Sequence, residues 1–594
     1  ANPKFEVLNP HEEEPEASEE RIRPIYPASE AVKSAFIERL IAKVLPFALP
    51  LIVDHLPTEF RYDRALPELH EAYRMQHAPV SEDDIKASRR RLAYDELLML
   101  QLGVAMKRAH LRTTLKAPAL KHNAGIDRDI RQRFPFELTS AQEDVIKEIA
   151  KDLSGTIPAN RLVQGDVGSG KTVVALYAML MAVASGKQAA MMAPTELLSE
   201  QHYSSISRML TGSRVRIELL TGSIPAAQRE LIVQRLAAGE IDILVGTHAL
   251  LTHSVKFKDL AVAIIDEQHR FGVVQRAALR EKASDATSTP HVLVMTATPI
   301  PRTLTVTLLG DLDVSSIDGL PMGRTPIVTK LLSFADRTGL YQLIAQRLER
   351  GEQAYVVAPA IHPPGSGKQP GEDELLTTTN ISQDATSPVQ GPPLRDVHTL
   401  MAELETTYLP GKRLAMIHGQ LSRQAREMIM ERFRQGQIDC LVATTIIEVG
   451  VDVPNATAMI IEQADRFGLA QLHQLRGRVG RGTQESVCYL IADPATPQAH
   501  ERLRILERST DGFEISEKDF DLRGPGEIFG SRQSGLPPFK VADLVADRQL
   551  LNMARKDAAA WIKKSPRLSL PEEHVILRRV LKAYGQALGL GDVG

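Results

Sequence analysis

The octapeptide Gly165-Asp166-Val167-Gly168-Ser169-Gly170-Lys171-Thr172 has the spacing G-x-x-x-x-G-K-T and sits between an apolar run and a helical run. Glycines let the backbone curl until its N–H groups converge, which suits phosphate oxygens. The helix that follows opens at the loop and turns its positive dipole end toward the same charge. Lys171 can reach the terminal phosphates of a nucleotide, and the Thr172 hydroxyl suits a magnesium ion. Together these residues predict a site for ATP with Mg2+, and hydrolysis of the nucleotide.

Four further groups could complete that chemistry. In Ile264-Ile265-Asp266-Glu267-Gln268-His269 an apolar strand delivers two carboxylates to its end. Asp266 would hold the magnesium and Glu267 would orient and deprotonate the attacking water. Such a pair also occurs as a plain turn, but here it follows a phosphate loop within an alternating block. Met295-Thr296-Ala297-Thr298-Pro299 again closes a strand; its hydroxyls could relay hydrogen bonds, or Thr298 could simply cap a helix. Downstream lie Gln471, Gln474 and Arg476-Gly477-Arg478-Val479-Gly480-Arg481. Phosphoryl transfer gains most from cations placed on the developing γ-phosphate charge. Arg478 and Arg481, three apart, could point together across a cleft from a helix start. Upstream, the Gln142 amide offers a donor and an acceptor, as an adenine edge requires. Read alone, Gln142 is a surface residue at a helix start, with Thr139 or Ser140 as its cap.

The elements that must position these residues follow from periodicity. Residues 1–30 carry the acidic stretch His11 to Glu16 and read as a flexible tail; residues 31–133 have mostly a 3.6-residue period and read as a helical region. Within the latter, Arg89-Arg90-Arg91 reads as a solvated helix face or as a phosphate contact. From residue 134 to 325 short apolar strands alternate with amphipathic helices: Arg161–Val163, Val173–Ser185, Gln188–Ala193, Leu197–Leu210, Ile241–Gly246, Ala261–Asp266 and His291–Met295. A second alternating block covers 326–495, with strands at Ala354–Ala358, Arg413–Ile417, Asp439–Thr444, Ala456–Ile461 and Val487–Ile491. Between 362 and 394 it carries an aperiodic Gly/Pro/Ser/Thr insertion, expected to be disordered. Residues 496–594 are irregular, then helical. The fold class predicted is α/β: two tandem parallel-sheet lobes, a helical N-terminal region and a mostly helical C-terminal segment. Sites in such sheets lie beyond the carboxyl ends of the strands, where the motifs above fall.

Composition narrows the partners. The 594 residues hold 71 basic and 74 acidic side chains, a net charge of −3, so any nucleic-acid contact must use a local basic surface. No apolar run approaches the about 20 residues that span a bilayer, and no apolar signal segment opens the chain. Two cysteines, Cys440 and Cys488, fall in strand-like runs and are expected to be buried. A cytoplasmic, membrane-free, monomeric protein is expected.

Taken in order, these elements resemble the motifs of superfamily-two helicases. The runs Asp266 to Val273, Met295 to Leu304 (MTATPIPRTL) and Asp521-Leu522-Arg523-Gly524-Pro525-Gly526-Glu527 closely resemble the bacterial RecG family, from about Arg21 to about Leu590. That resemblance implies RecA-like lobes and an ATP-dependent double-stranded DNA translocase that remodels stalled forks and Holliday junctions in recombination and repair. It makes Gln142 the adenine-reading glutamine and Asp452 a nucleotide contact; Lys171, Asp266, Glu267, Gln474, Arg478 and Arg481 become catalytic. Pro194, Thr195, Thr221, Gly222, Thr247 and His248 become DNA-facing in the first lobe, through contacts that position a strand without reading its sequence. In the second lobe Thr444, Thr445, Glu448, Gly450 and Asp452 match the motif that couples DNA to ATP. Arg502, Arg523 and Gln533 match the family's translocation motif. Partners implied are branched and duplex DNA and a single-strand-binding protein; the location implied is the bacterial nucleoid.

The RecG family normally begins with a wedge domain, an OB fold that splits the arms of a fork. No five-stranded run precedes residue 134, aromatics are 5%, and the chain opens on Ala, so a fragment without its wedge, or a member lacking one, is expected. Two rival readings are an Mfd-like translocase that displaces RNA polymerase and a nucleotide-gated DNA clamp with little turnover. The Mfd family typically reads DEEQ where this chain has Asp266 to His269; the clamp reading sits poorly with Glu267, Arg478 and Arg481. Lys171→Ala is expected to abolish ATP turnover, and near-normal phosphate release from that variant would remove the loop's assignment.

Overall fold

A computed structural model describes residues 22, 24–27, 29, 32–266, 288–296, 312–319, 326–360, 395–444, 453–482, 484–494, 496–523, 537 and 539–590. The acidic stretch, the insertion 362–394, Glu267 to Val273, Ala297 to Leu304, Thr445, Glu448, Gly450, Asp452, Gly524 to Glu527 and Gln533 lie outside the described residues.

The first lobe is built on β1 (Asn160–Gly165), β2 (Gln188–Met192), β3 (Ile217–Leu220), β4 (Ile243–Gly246), β5 (Leu260–Ile265), β6 (His291–Thr296) and β7 (Asp313–Ile317), ordered β3-β4-β2-β5-β6-β1-β7. Every pairing is parallel. Successive strand residues point to opposite faces, and here both faces are apolar. Val163, Met191 and Ile264 pack with Ile149 and Tyr177 on one side; Leu162, Met192 and Ile265 pack with Ile232 and Leu236 on the other. That continuous hydrophobicity is what a sheet covered on both faces requires.

The second lobe repeats the plan with β8 (Val328–Leu332), β9 (Gln353–Val357), β10 (Leu414–Ile417), β11 (Cys440–Ala443), β12 (Ala456–Glu462) and β13 (Val487–Ile491). Its order is β10-β11-β9-β12-β13-β8, all parallel. Tyr355, Leu441 and Ile461 face Phe433, Leu475 and Leu503, while Val356, Val442 and Ile460 face Tyr341, Ile344 and Leu400. The strands β3, β7 and β8 were not apparent from periodicity: they lie at sheet edges and leave several positions open to solvent, which weakens the apolar signal. Both cysteines are buried in strands, and burial pushes each thiol up to about 12.

Residues 111–524 form one compact unit that contains both lobes and two helices, Pro497–Arg508 and Gly512–Arg523. Residues 1–110 and 525–594 form the other, so the two ends of the chain share a helical body. Ion pairs join segments more than 400 residues apart in sequence. Arg64 pairs with Asp557, and Arg89 with Asp547. The Glu96 carboxylate accepts the N–H groups of Lys540, Val541 and Ala542.

This overturns both readings of the arginine run. Arg91 has no exposed side-chain surface; it donates to Asp54 at 2.7 Å and to Asp95 at 3.0 Å. Arg90 donates to the Arg64 carbonyl. These cations hold the helical unit together because buried guanidinium groups must be matched by carboxylates. Burial alone would raise the Asp54 carboxyl, but hydrogen bonds from Arg91 and from the Leu56 and Leu69 N–H groups outweigh it and hold it below the usual range. Its contribution is therefore present at neutral pH and fades as pH falls through the lowered value. Arg91→Ala is expected to destabilise this unit by about 3–5 kcal/mol at neutral pH. Urea unfolding followed by Trp561, the only tryptophan, checks it; an unchanged midpoint would contradict the assignment.

Candidate nucleotide site between the two lobes

The phosphate loop joins β1 to the helix Lys171–Ala184. Gly170 caps that helix at φ 89°, a left-handed conformation that side chains rarely adopt, and a Cβ there would lie 2.2 Å from Gln142 Nε2. Lys171 Nζ donates to the carbonyls of Gly165 at 2.7 Å and Asp166 at 2.9 Å. Gln142 is buried rather than on the surface. Its Nε2 donates to the Ser169 carbonyl at 2.8 Å and its Oε1 accepts the Thr139 N–H at 2.9 Å, in a capping box at the start of the helix Ser140–Leu153. The glutamine thus braces the loop as well as its own helix.

β6 lies between β1 and β5 in the sheet, so Thr296 and Asp266 emerge beside the loop. Neighbouring strands are about 4.8 Å apart, which puts the Asp266 strand about 10 Å from the loop's strand. Asp266 is buried, and its Oδ2 lies 2.7 Å from His202 Nε2. His202 stands on the helix Glu196–Met209, whose N-cap is Thr195. The imidazole therefore ties the carboxylate to the element that carries Pro194 and Thr195.

The loops after β2, β3 and β4 cluster on the other half of the same edge. Glu196 links two of them, accepting the Gly222 N–H at 2.9 Å and the Ser223 hydroxyl at 2.7 Å. His248 and Gly222 are exposed, but the Thr221 and Thr247 side chains are buried and bonded to Ser223 and to the Ala249 N–H. Those two hydroxyls shape their loops from inside; the surface there belongs to His248, Gly222 and backbone.

From the second lobe the helix Leu469–Arg476 carries Gln474 and ends at Gly477. Arg478 and Arg481 therefore follow a helix end, not a helix start. They lie on an irregular segment that turns at Gly480, φ 73°. Arg481 Nε donates to the Gly477 carbonyl at 3.3 Å. Burial pushes the Tyr355 phenol on β9 up to about 12, against the opposing pull of the Arg478 and Arg481 charges. Thr444 is buried at the end of β11. Arg502 donates to the Asp465 carbonyl at 2.5 Å, seating its helix on the lobe. Arg523 ends the helix Gly512–Arg523.

The lobes meet at the phosphate loop. His473 Nε2 lies 2.7 Å from Asp166 Oδ1. A Cβ on Gly477 would stand 2.9 Å from the Val167 Cβ, so the arginine-bearing segment rests directly on the loop. Burial would raise the Asp166 carboxyl; the hydrogen bond from His473, the Val167 N–H and the Lys171 charge hold it below the usual range. Neither His473 nor His202 was singled out from sequence. The only local signal for His473 was its i, i+3 spacing from Arg476, which puts both on one helix face.

Three sequence families match the chain: DEAD/DEAH box helicase over residues 139–306, helicase conserved C-terminal domain over 394–483, and ATP-dependent DNA helicase RecG, domain 3, C-terminal, over 509–587. The ATP-dependent DNA helicase RecG of Synechocystis is 42% identical over 590 residues, 99% of this chain and 67% of the relative. That of Bacillus subtilis is 42% identical over 571 residues, 96% of this chain and 79% of the relative. A solved structure of RecG bound to a three-way DNA junction superposes with a TM-score of 0.69 at 36% identity, covering 89% of this chain and 66% of that one. The chain thus spans about two thirds of the Synechocystis relative and of the solved protein.

The Gly477 contact leaves no room for a methyl group. Gly477→Ala is expected to lower the turnover number for ATP about 100-fold with an unchanged thermal midpoint; wild-type turnover would mean that the segment does not bear on the loop.

Proposed function

The chain belongs to the RecG family of ATP-dependent DNA helicases, and from that premise we propose that it is an ATP-driven motor that moves along double-stranded DNA and remodels branched DNA. Stalled forks and Holliday junctions are the substrates of this reading. The observation that carries it is the meeting of the Lys171 loop with the Arg478–Arg481 segment of the other lobe, at Asp166–His473 and Val167–Gly477. A nucleotide held there touches both lobes at once.

Each residue then has a task. The loop N–H groups and Lys171 receive the phosphates, and Gln142 meets the adenine edge from its place behind Ser169. Thr172 and Asp266 offer hard oxygen donors that fit magnesium, which when bound offsets phosphate charge. Glu267 orients the attacking water. Arg478 and Arg481, with Gln474 beside them, stabilise the charge that develops on the γ-phosphate. Hydrolysis removes the shared ligand, and the lobes part; binding energy becomes relative motion. Pro194, Thr195, Gly222 and His248 lie on the half of the strand edge away from β1, where a DNA backbone would run along the lobe. Asp452 and Thr445 would pass lobe closure to the DNA, and Arg502, Arg523 and Gln533 would convert it into movement. A single-strand-binding protein as partner, a monomeric state and a place at the nucleoid complete the proposal.

Displacement of RNA polymerase is the weaker reading, because the similarity to RecG relatives extends through residues 509–587. Arg523→Ala is expected to keep most DNA-stimulated ATPase activity and lose branch migration of a synthetic junction. Equal loss of both activities would make Arg523 structural or part of the ATP site, and would remove it from the translocation machinery.

A further inference from the structure

His473 bridges two groups of opposite character. Its Nδ1 lies 2.8 Å from Arg476 Nη2, and its Nε2 lies 2.7 Å from Asp166 Oδ1. A guanidinium can only donate, so Nδ1 must be the acceptor. The proton then sits on Nε2 and is donated to Asp166, an assignment made from the partners. A doubly protonated ring would turn an N–H against Arg476. The other side of Arg476 is fixed as well: Nη1 donates to the carbonyls of Leu506 at 2.9 Å and Ser509 at 2.8 Å. Ring and guanidinium are both buried. The charged groups facing the ring are Arg476 from its own helix and Asp166 from the phosphate loop, with Lys171 acting on Asp166.

We propose that His473 is a positioning residue: as a neutral imidazole it keys the Arg478–Arg481 segment to the phosphate loop, and turnover depends on that registration. The contact is directional. A hydrogen bond to a carboxylate fixes angle and distance more tightly than two exposed charges do, and Gly477, four residues on, fixes a second point on Val167. Two points on one helix end set the rotation of the segment against the loop. The arginines that follow inherit that setting. Adenine and magnesium binding involve other residues, so losing the key costs the chemical step rather than affinity for the nucleotide. The proposal rests on Arg478 and Arg481 acting on the γ-phosphate.

The test compares His473→Asn with His473→Gln, each alone and with Arg481→Ala, in DNA-stimulated ATPase assays that yield kcat and KM separately. Asparagine can accept from Arg476 but falls short of Asp166; glutamine can span both. His473→Asn is expected to lower kcat about tenfold to hundredfold, with KM for ATP within about threefold of the parent, and His473→Gln to recover most of the loss. In the Arg481→Ala background His473→Asn is expected to cost little more, because the group it positions is gone. An equal loss in both backgrounds, or glutamine no better than asparagine at an unchanged thermal midpoint, would overturn the positioning role while leaving the fingers intact. A parent-like kcat in Arg481→Ala alone would overturn the finger assignment and this proposal with it.

Discussion

The N–H···O bond from His473 to Asp166, with the Gly477–Val167 contact beside it, sets the relation of the two halves of the nucleotide site. It crosses 307 residues of sequence and closes the gap between lobes at the residue that follows β1. Its direction is dictated from behind, since Arg476 can offer only donors and so leaves Nδ1 no role but acceptor. Asp166 stays ionised because the same bond, with Val167 N–H and Lys171, outweighs the penalty of burial. The constraint is therefore self-consistent: a neutral ring, an ionised carboxylate and a fixed guanidinium, each needing the others.

Everything else in the site follows from parallel strands. In a parallel sheet all carboxyl ends lie on one edge, and the order β3-β4-β2-β5-β6-β1-β7 divides that edge in two. The phosphate loop, Thr296 and Asp266 share one half; the loops that carry Thr195, Gly222 and His248 share the other. The helix Glu196–Met209 belongs to both, since Thr195 caps it and His202 on its buried face reaches Asp266. In the proposed function a strand of DNA and a nucleotide would be held by neighbouring loops of one sheet, with Arg478 and Arg481 supplied by the second lobe.

Much of this was legible from sequence because the decisive signals are local. The phosphate loop has a fixed spacing, and the central strands are short apolar runs between helical ones. For β13 the expected range Val487–Ile491 is the observed one. Three of the four edge strands, β3, β7 and β8, were harder to see because solvent on one side dilutes the apolar pattern, as in Asp313–Ile317. Two features were out of reach for a different reason. Arg91 looks like part of a charged surface until its partners Asp54 and Asp95 are folded against it, and His473 looks like an ordinary helical residue until the first lobe brings Asp166 to it. A buried charge or a neutral bridge is a property of the contact, not of the segment. The misreading of Arg478 and Arg481 as a helix start had a local cause: their spacing of three fits a helix, yet Gly477 and Gly480 end one.

The meeting of the lobes can be measured without reference to activity. Val167→Cys with Gly477→Cys places two thiols where Cβ atoms would be about 3 Å apart, close enough to bond once the lobes part by about 1 Å. The native Cys440 and Cys488 are buried and do not compete. Mild oxidation of the folded double variant should form one intramolecular disulfide, seen as a shifted band on a non-reducing gel and reversed by a thiol. Two thiols that stay fully titratable in the folded protein, with no crosslink at any oxidant concentration, would contradict the contact between the phosphate loop and the arginine segment.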